Sequence, residues 1–432
     1  MKRRITIKLS EWKNSSQRKP LLVYGARQVG KTYVINEFGR NNYKNVIYVN
    51  FETNLAVAAD FSTDISPKHI INCLEIFYKQ EIVPGKTLIF FDEIQLCERA
   101  LTSLKYFCEN TPEYHIVAAG SLLGVVFNRE KSSFPVGKVD LCHLYPLDLE
   151  EFLWAVSREA LAEEIRGCYA NNNPLSAMLH DAALNLYKEY LIVGGMPAVV
   201  NEYRKSQKLL DAANVQALIV STYIADMAKY ATPAETTKIM AAFQSIPAQL
   251  AKDNRKFQYK IIHRGGSASI FGSSIDWLCA AGLVVKCNKV EHGYMPLAAY
   301  QDFSSFKLYM GDVGLLTLKS GMSTHNILTA IEDNNTFIGA IVENYVADQL
   351  RVHRSELYYW DSAHTAEIDF IIQDGGKIIP IEVKSSAHTR SRSLSVYKSK
   401  YNPSYAIRIS AKNFGFENQI KSVPLYAVFC IE

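Results

Sequence analysis

Residues 25–32 have the spacing of a loop that wraps the phosphates of a nucleotide. The stretch reads G-A-R-Q-V-G-K-T, with two glycines, a lysine and a threonine at fixed intervals. Gly25 and Gly30 can adopt backbone conformations in which consecutive N–H groups point at one anion. Lys31 can reach the β- and γ-phosphates, and the Thr32 hydroxyl can hold Mg²⁺. The pattern predicts a site for ATP and Mg²⁺ formed by Gly25, Ala26, Arg27, Gln28, Val29, Gly30, Lys31 and Thr32.

Two carboxylates further along the chain fit the same chemistry. The apolar run T-L-I-F-F ends in Asp92 and Glu93, which is typical of a buried parallel strand with acids at its carboxyl end. Ligands of open α/β sheets bind at that edge. We expect Asp92 to contact Mg²⁺, directly or through water, and Glu93 to orient and polarise the attacking water. Ser121 ends the next apolar run, where it could bond the γ-phosphate or the water, or equally cap the following helix.

Hydrolysis of a nucleotide also uses a cation that stabilises charge in the transition state. The sequence does not single one out. Each candidate is also consistent with a solvated surface charge: Arg27, Arg99, Arg129, Lys131 and Lys138.

A second group of chemically suggestive residues lies near the C-terminus. The segments E-I-D-F-I-I and I-I-P-I-E-V-K flank a Gly-Gly pair and predict a hairpin. Asp369 lies in the first strand, and Glu382 and Lys384 share one face of the second. The preceding segment F-I-G-A-I-V-E-N-Y-V-A-D-Q-L reads as an amphipathic helix that bears Glu343. With Glu343, these carboxylates could bind Mg²⁺, and the lysine could stabilise charge on a scissile phosphate. The alternative is a hairpin in which Glu382 and Lys384 satisfy each other as a buried ion pair.

The elements that must position these residues alternate between strands and helices in the first part of the chain. Apolar runs at 21–25, 45–52, 87–95 and 114–120 predict buried strands, with helices between them, and therefore a parallel α/β sheet. Residues 150–235 have helical patterns, interrupted by V-G-G-M-P, where one helix ends and the next begins.

The segment after this helical part has the order of a winged helix. Three helices precede an expected pair of strands, V-V-K-C-N-K-V-E-H-G and M-P-L-A-A-Y. Winged modules can place a helix in the major groove of DNA, and they also serve as packing or protein-contact units. Five basic residues could meet phosphates here: Lys252, Arg255, Lys256, Lys260 and Arg264.

Four strings together resemble a known family. G-A-R-Q-V-G-K-T, D-E-I-Q, A-A-G-S and V-G-K-V-D-L-C-H-L-Y-P-L-D-L-E-E-F-L are similar to those of the AAA-type ATPases of bacteria and archaea that are fused to a conserved C-terminal region. The family usually has an arginine where this chain has Lys138, and lysine cannot make the planar bidentate contact of arginine. The D…E-x-K set with Glu343 resembles the restriction-endonuclease-like superfamily, PD-(D/E)xK.

The resemblance implies four parts and an α/β fold class. They are a P-loop ATPase core at 1–155, a helical lid or linker at 156–235, a winged-helix-like segment at 236–310 and a restriction-endonuclease-like α/β domain at 337–432. It implies an ATPase that hydrolyses ATP with Mg²⁺, and a C-terminal domain that binds or cuts DNA or RNA. The alternative is a nucleotide-dependent interaction or regulatory module with an inactive nuclease fold, whose partner is a second copy or another protein.

Composition sets weaker limits. A formal net charge of +4 over 432 residues does not by itself argue for nucleic acid. The eight cysteines show no C-x-x-C pair and are expected to be reduced core residues of a cytoplasmic protein, in neither disulfides nor a zinc site. The N-terminus lacks the apolar core of a signal peptide, and no apolar run is long enough to predict a membrane span.

Overall fold

The protein, represented by a computed structural model, forms two compact units. The structure describes residues 1–121, 134–329, 336–354, 356–362, 366–386 and 392–432. The first unit contains residues 2–145 and 280–282, and the second contains residue 1, residues 146–279 and residues 283–432. Within the described ranges, no helix combines the length and the apolarity needed to cross a membrane.

The first unit is built on a five-stranded parallel sheet in the order β2-β3-β4-β1-β5. Its strands are β1 (Leu21–Tyr24), β2 (Asn45–Asn50), β3 (Thr87–Asp92), β4 (His115–Gly120) and β5 (Asp140–His143). Its helices are α1 (Ile5–Asn14), α2 (Lys31–Asn42), α3 (Leu55–Asp60), α4 (Pro67–Tyr78) and α5 (Glu98–Asn110), with a short 3₁₀ helix at Ile94–Leu96.

The predicted strands of this unit are confirmed, and their order explains how the site forms. All six positions of β3 and all six of β4 are buried, as expected for central strands of a parallel sheet covered on both faces. Strand β4 lies between β1 and β3. The carboxyl ends of these three strands therefore meet at one edge, where the phosphate loop, Asp92 and Ser121 follow them.

The second unit begins with helices, as the sequence predicts. They are α6 (Leu149–Ala155), α7 (Glu159–Asn171), α8 (Ala177–Val193), α9 (Pro197–Ser206), α10 (Leu209–Tyr230), α11 (Pro233–Leu250), α12 (Tyr259–Ile262), α13 (Ala268–Ala280), α14 (Val313–Ser320), α15 (Thr324–Thr329), α16 (Thr336–Leu350) and α17 (Arg392–Tyr401). Helix α8 ends at Val193, and Gly194 follows it as the C-cap with a φ of 72°. Helix α9 begins with Pro197 in its first turn.

A mixed eight-stranded sheet completes the second unit, in the order β12-β13-β11-β10-β9-β8-β6-β7. Its strands are β6 (Val284–Val290), β7 (Gln301–Met310), β8 (Leu357–Asp361), β9 (Glu367–Asp374), β10 (Lys377–Val383), β11 (Ala406–Ser410), β12 (Gly415–Glu417) and β13 (Ile420–Pro424). Short 3₁₀ helices occupy Leu297–Tyr300 and Leu425–Cys430. The predicted C-terminal hairpin is confirmed as β9 and β10, which pair antiparallel around Gly375 and Gly376.

The strand pair of the expected winged helix differs from the prediction in the position of its second strand and in the sheet to which it belongs. The predicted second strand, M-P-L-A-A-Y, contains the 3₁₀ helix Leu297–Tyr300, and the strand starts only at Gln301. Pro296 lacks the N–H that a ladder requires, which disfavours a strand at that point. Strand β6 pairs antiparallel with β7 and parallel with β8, so this strand pair forms one edge of the sheet that contains the C-terminal hairpin.

Helix α16 is not the amphipathic helix that its sequence suggested. Every residue from 340 to 350 is buried, including Glu343, Asn344 and Gln349. The polar side chains are paired inside the unit: Asn344 accepts from the N–H of Met310 at 2.7 Å, and the Gln349 carbonyl accepts from that of Leu149 at 2.9 Å. A helix buried on all sides needs such partners, because an unpaired buried polar group is costly.

Candidate nucleotide site and C-terminal carboxylates

The phosphate loop joins β1 to α2, and its glycines are required by their surroundings. A Cβ atom on Gly25 would lie 2.1 Å from the carbonyl oxygen of Leu144, so only glycine fits there. Gly30 caps α2 in the left-handed conformation, with a φ of 91°. The loop therefore leads directly into the positive end of a 12-residue helix, where an anion is favoured.

Lys31 lies buried against its own loop. Its Nζ atom donates to the carbonyl oxygens of Gly25 at 2.9 Å and Ala26 at 2.8 Å. Burial lowers the pKa of Lys31 to about 8, although the nearby charges of Glu93 and Asp92 act in the opposite direction. The ammonium group thus has two neutral acceptors, which phosphate oxygens can replace with a stronger, charge-assisted contact.

Thr32 and Asp92 come together as the sequence predicted for a Mg²⁺ site. The Thr32 hydroxyl donates to Oδ2 of Asp92 at 2.8 Å, and the Tyr48 hydroxyl donates to the same oxygen at 3.0 Å. Asp92 is only 2% exposed. A hydroxyl and a carboxylate are oxygen donors of the kind that Mg²⁺ prefers, so these residues fit the ion. Sequence reasoning did not identify Tyr48, which lies on β2 and whose pKa is raised by burial to about 12.

Glu93 and Ser121 lie beside these residues along the sheet edge. Glu93 has a left-handed backbone with a φ of 52°, which is unusual outside glycine and concentrates at functional sites. Its Oε2 accepts from the side-chain amide of Gln95 at 2.5 Å. The Oγ atom of Ser121 is buried and has no hydrogen-bond partner among the described residues. That orphaned hydroxyl suits a polar ligand at the end of β4.

The candidate cations lie in different environments. Arg99 on α5 donates through Nε to the carbonyl oxygen of Phe61 at 2.7 Å. Lys138 forms an ion pair of 2.9 Å with Glu109, and both side chains are about one-third exposed or more. Arg27 lies in the phosphate loop itself, whereas Arg129 and Lys131 fall outside the described residues. Arg99 and Lys138 are therefore bonded to partners within the first unit. The geometry does not assign the cation that would activate hydrolysis to any of the five candidates.

In the second unit, Glu343 is surrounded by donors rather than by other carboxylates. Lys307 on β7 contacts Oε1 of Glu343 at 2.9 Å, and both side chains are almost completely buried. Tyr309 donates to the same oxygen, and Arg255 is paired with Oε2. Lys307 also contacts Glu367 at 2.5 Å. Both oxygens of Glu343 are therefore engaged by protein cations and a hydroxyl, which leaves this carboxylate poorly suited to a metal.

The other members of the predicted C-terminal set have partners of their own. Asp369 accepts from the N–H of Val383 at 2.8 Å across the hairpin. Lys384 lies 3.1 Å from Oε1 of Glu382, and the Nε of Arg408 lies 3.9 Å from its Oε2. Among the described residues, Glu343, Asp369 and Glu382 do not form a group of three ligand atoms within 4.8 Å of one another. The arrangement of these carboxylates does not fit a divalent metal ion.

Further carboxylates of the second unit form ion pairs with basic side chains that sequence reasoning did not identify. Lys256 pairs with Asp361 at 2.7 Å, and Lys289 lies 3.7 Å from Asp302 and from Asp361. Arg255 and Lys256 were expected to meet nucleic-acid phosphates, but carboxylates of the same unit hold them, whereas Lys252, Lys260 and Arg264 are exposed. Lys307 could have indicated these ion pairs, because it is a charged residue within the apolar strand F-K-L-Y-M. A lysine that is buried in such a strand must have a partner.

Basic side chains that could face nucleic-acid phosphates follow β10, at Lys384, Arg390, Arg392, Lys398 and Lys400. Lys398 donates to the carbonyl oxygen of Asn418 at 2.7 Å, and Lys400 lies over the rings of Trp360 and Tyr401. Arg390 falls outside the described residues. These contacts assign two of the basic side chains to structural partners.

The chain matches three family models in succession. Residues 17–153 match the model described as AAA domain, residues 184–326 match Domain of unknown function (DUF8612), and residues 338–428 match Domain of unknown function (DUF4143). The first match supports an AAA-type, ATP-binding ATPase domain in the first part of the chain, in agreement with its parallel five-stranded sheet.

Similar solved structures share little sequence with this chain. The Walker-type ATPase of Pyrococcus abyssi is 15% identical, covers 73% of this chain and 94% of its own, and has a TM-score of 0.45. The ORC1 protein of Aeropyrum pernix in complex with DNA is 12% identical, with 76% and 90% covered and a TM-score of 0.29. The AMPPCP-bound DnaA of Aquifex aeolicus is 16% identical, with 64% and 88% covered and a TM-score of 0.25. Scores this low carry no argument about function. No curated protein matches the chain.

Proposed function

We propose that the first unit binds ATP with Mg²⁺ at the loop of residues 25–32 and hydrolyses it. The observation that carries the proposal is the 2.8 Å contact between the hydroxyl of Thr32 and the carboxylate of Asp92. These two oxygen donors come from the phosphate loop and from the end of a central strand. Their meeting point, beside a glycine loop and a helix N-terminus, is where a metal-bound triphosphate would be held.

Each residue has a role that follows from its position. The loop's N–H groups and the ammonium of Lys31 bind phosphate oxygens, once Lys31 leaves the carbonyls of Gly25 and Ala26. Thr32 and Asp92 would hold Mg²⁺, which supplies charge neutralisation on the phosphate oxygens. Glu93, oriented by the amide of Gln95, accepts a hydrogen bond from the attacking water and polarises it.

Substitution of Lys31 tests this proposal. Lys31→Ala should abolish tight binding of ATP, because it removes the buried ammonium without altering the backbone of the loop. Lys86→Ala, which changes an exposed lysine of the same unit, is the matched control and should bind ATP like the wild type. Equilibrium titration of both variants with ATP and Mg²⁺ gives the answer, and unchanged affinity in Lys31→Ala would refute the proposal.

For residues 337–432 we propose a restriction-endonuclease-like domain whose acids make ion pairs rather than bind a metal. The support is the pairing of Glu343 with Lys307 and Arg255 and that of Glu382 with Lys384. Residues 1–155 are then the ATPase core, 156–235 a helical lid and 236–310 a winged-helix-like segment. The domain serves as a binding platform whose contact with nucleic acid, a second copy or another protein depends on the nucleotide.

A cleavage assay separates this proposal from a nuclease. Labelled single- and double-stranded DNA and RNA are incubated with Mg²⁺ or Mn²⁺, with and without ATP, for the wild type and for Glu382→Ala. We expect no cleavage by either protein. Cleavage by the wild type that is lost in Glu382→Ala would establish a nuclease and overturn the ion-pair proposal, while leaving ATP hydrolysis unaffected.

A further inference from the structure

Three side chains of different chemistry meet on the surface of the first unit, on helices α3 and α4. His69 and Cys73 are four residues apart on α4 and therefore share one face of that helix. Asp60 is the last residue of α3. His69 Nε2 lies 3.2 Å from Asp60 Oδ2 and 3.6 Å from Cys73 Sγ. One sulfur, one nitrogen and one oxygen donor all lie within 4.8 Å of one another.

The two shorter distances agree with the edges of a zinc tetrahedron. Zinc binds sulfur at about 2.3 Å, and nitrogen or oxygen at about 2.0–2.2 Å, which places ligand atoms about 3.3–3.6 Å apart at tetrahedral angles. The nitrogen–oxygen and sulfur–nitrogen distances at this cluster need almost no change to meet those values. The i, i+4 spacing on α4 brings the thiol to the imidazole, and Asp60 at the end of α3 completes the set of three donors.

Charge at the cluster is also suited to a divalent cation. When M²⁺ binds, the S–H proton is released to solvent and a sulfur–metal bond forms. One thiolate, one carboxylate and a neutral imidazole then balance the ion. Asp64 is a further charged group close enough to act on Cys73 and His69.

We propose that Asp60, His69 and Cys73 bind one divalent transition-metal ion of the zinc class. A mixed sulfur, nitrogen and oxygen donor set selects this class over Mg²⁺ and Ca²⁺, which take oxygen ligands. Three protein ligands leave a fourth position for water or an exogenous donor. The side chains of His69 and Asp60 are each about one-third exposed, so a hydrated ion reaches the donors directly from solvent.

The sequence hides this site because its cysteine has no partner in a C-x-x-C pair. The ligands come from two helices, and the H-x₃-C spacing on α4 gives only two of them.

The site is also connected to Arg99 of the proposed ATPase unit. Arg99, one of the candidate activating cations, donates to the carbonyl oxygen of Phe61, which directly follows Asp60. An ion that fixes the end of α3 would fix this acceptor as well.

Binding of Co²⁺ and Zn²⁺ to the untagged full-length chain tests the proposal. After removal of metal with a chelator, we expect one tightly bound ion per chain, tetrahedral Co²⁺ bands with a thiolate-to-cobalt charge-transfer band, and release of one proton. Cys73→Ser should abolish the charge-transfer band and weaken binding at least 100-fold, and His69→Asn should weaken it similarly. Cys108→Ser, at the other half-exposed cysteine of this unit, should change neither readout.

Two results would overturn the proposal. One is the absence of stoichiometric binding to the wild type. The other is a charge-transfer band that persists in Cys73→Ser, which would place the metal elsewhere. Retained ATP binding by each variant shows that the first unit is folded, so loss of metal binding cannot be ascribed to unfolding.

Discussion

At the scale of single residues, the nucleotide site is a small set of side chains whose protonation can be measured. Lys31 is the most informative, because it is buried against two carbonyl oxygens in the nucleotide-free loop. Its lowered pKa of about 8 means that ATP must bind a lysine that loses its proton in mildly alkaline solution.

ATP affinity should therefore fall as pH rises through this pKa. Bound phosphates favour the ammonium form, so binding above pH 8 takes up a proton and weakens about tenfold per pH unit. Between pH 7 and pH 9 we expect the dissociation constant of ATP to rise about tenfold. Calorimetry in buffers of different ionisation enthalpy would measure both the affinity and the proton uptake. In Lys31→Arg the pH dependence should disappear, and an unchanged slope there would assign it to another group.

Glu343 gives the corresponding prediction in the second unit. Glu343→Gln keeps the shape of the side chain but removes the carboxylate that Arg255 and Lys307 share, and it leaves Lys307 with Glu367 alone. Removal of one partner from a buried ion pair typically costs about 3–5 kcal/mol. Hydrogen exchange of the α16 amides should show a loss of protection of this size. The exposed Glu417→Gln should change it by less than about 0.5 kcal/mol. Equal protection in both variants would remove the ion-pair interpretation.

At the scale of secondary-structure elements, some positions were predictable and others were not. Strands β1 to β4 were predictable because each is an apolar run next to a motif or a turn, whereas β5, with the sequence D-L-C-H, was not predicted. Helix α16 was expected to be amphipathic, but its polar residues Asn344 and Gln349 are buried with backbone partners from distant segments. Local patterns carry no information about such partners.

The residues of the nucleotide site and those around Glu343 also differ in how far the sequence predicted them. The phosphate loop was predictable because one local strand–loop–helix unit sets its spacing, and Asp92 was predictable because it ends an apolar strand of the same parallel sheet. The pairing of Glu343 with Arg255 and Lys307 was not, since those residues lie on other elements and only the packed sheet brings them together.

The turn between α8 and α9 offers a stability test at this scale. A Cβ atom at Gly195 would lie 2.0 Å from the carbonyl oxygen of Leu147, and Leu147 in turn donates its N–H to the carbonyl oxygen of Gly195. Gly195→Ala should destabilise the second unit by about 2–3 kcal/mol, because the backbones must separate. Gly167→Ala is the control, since its Cβ meets nothing within 4 Å in the middle of α7 and should stabilise slightly. Urea denaturation followed by circular dichroism compares the two.

At the scale of the whole molecule, the second unit is continuous across the boundary that the sequence suggested at residue 337. Strand β8 pairs with β6, and the cations that neutralise Glu343 lie at positions 255 and 307. A fragment of residues 337–432 would therefore expose a long sheet edge and retain a buried carboxylate without its partners.

We expect residues 337–432 to be unfolded or aggregated when expressed alone, and residues 146–432 to be folded. Amide dispersion in NMR spectra and resistance to limited proteolysis would distinguish the two states. A well-folded fragment of residues 337–432 would show that β6 and β7 are dispensable to the sheet.

The steady-state turnover of Glu93→Gln decides whether ATP is hydrolysed at the edge formed by β1, β3 and β4. Loss of a general base typically lowers turnover by about 10²–10⁴-fold, and the amide should leave ATP affinity nearly unchanged. The exposed Glu98→Gln, five residues further along the chain, should keep wild-type turnover. Wild-type turnover in Glu93→Gln, or no Mg²⁺-dependent turnover in the wild type, would contradict the account.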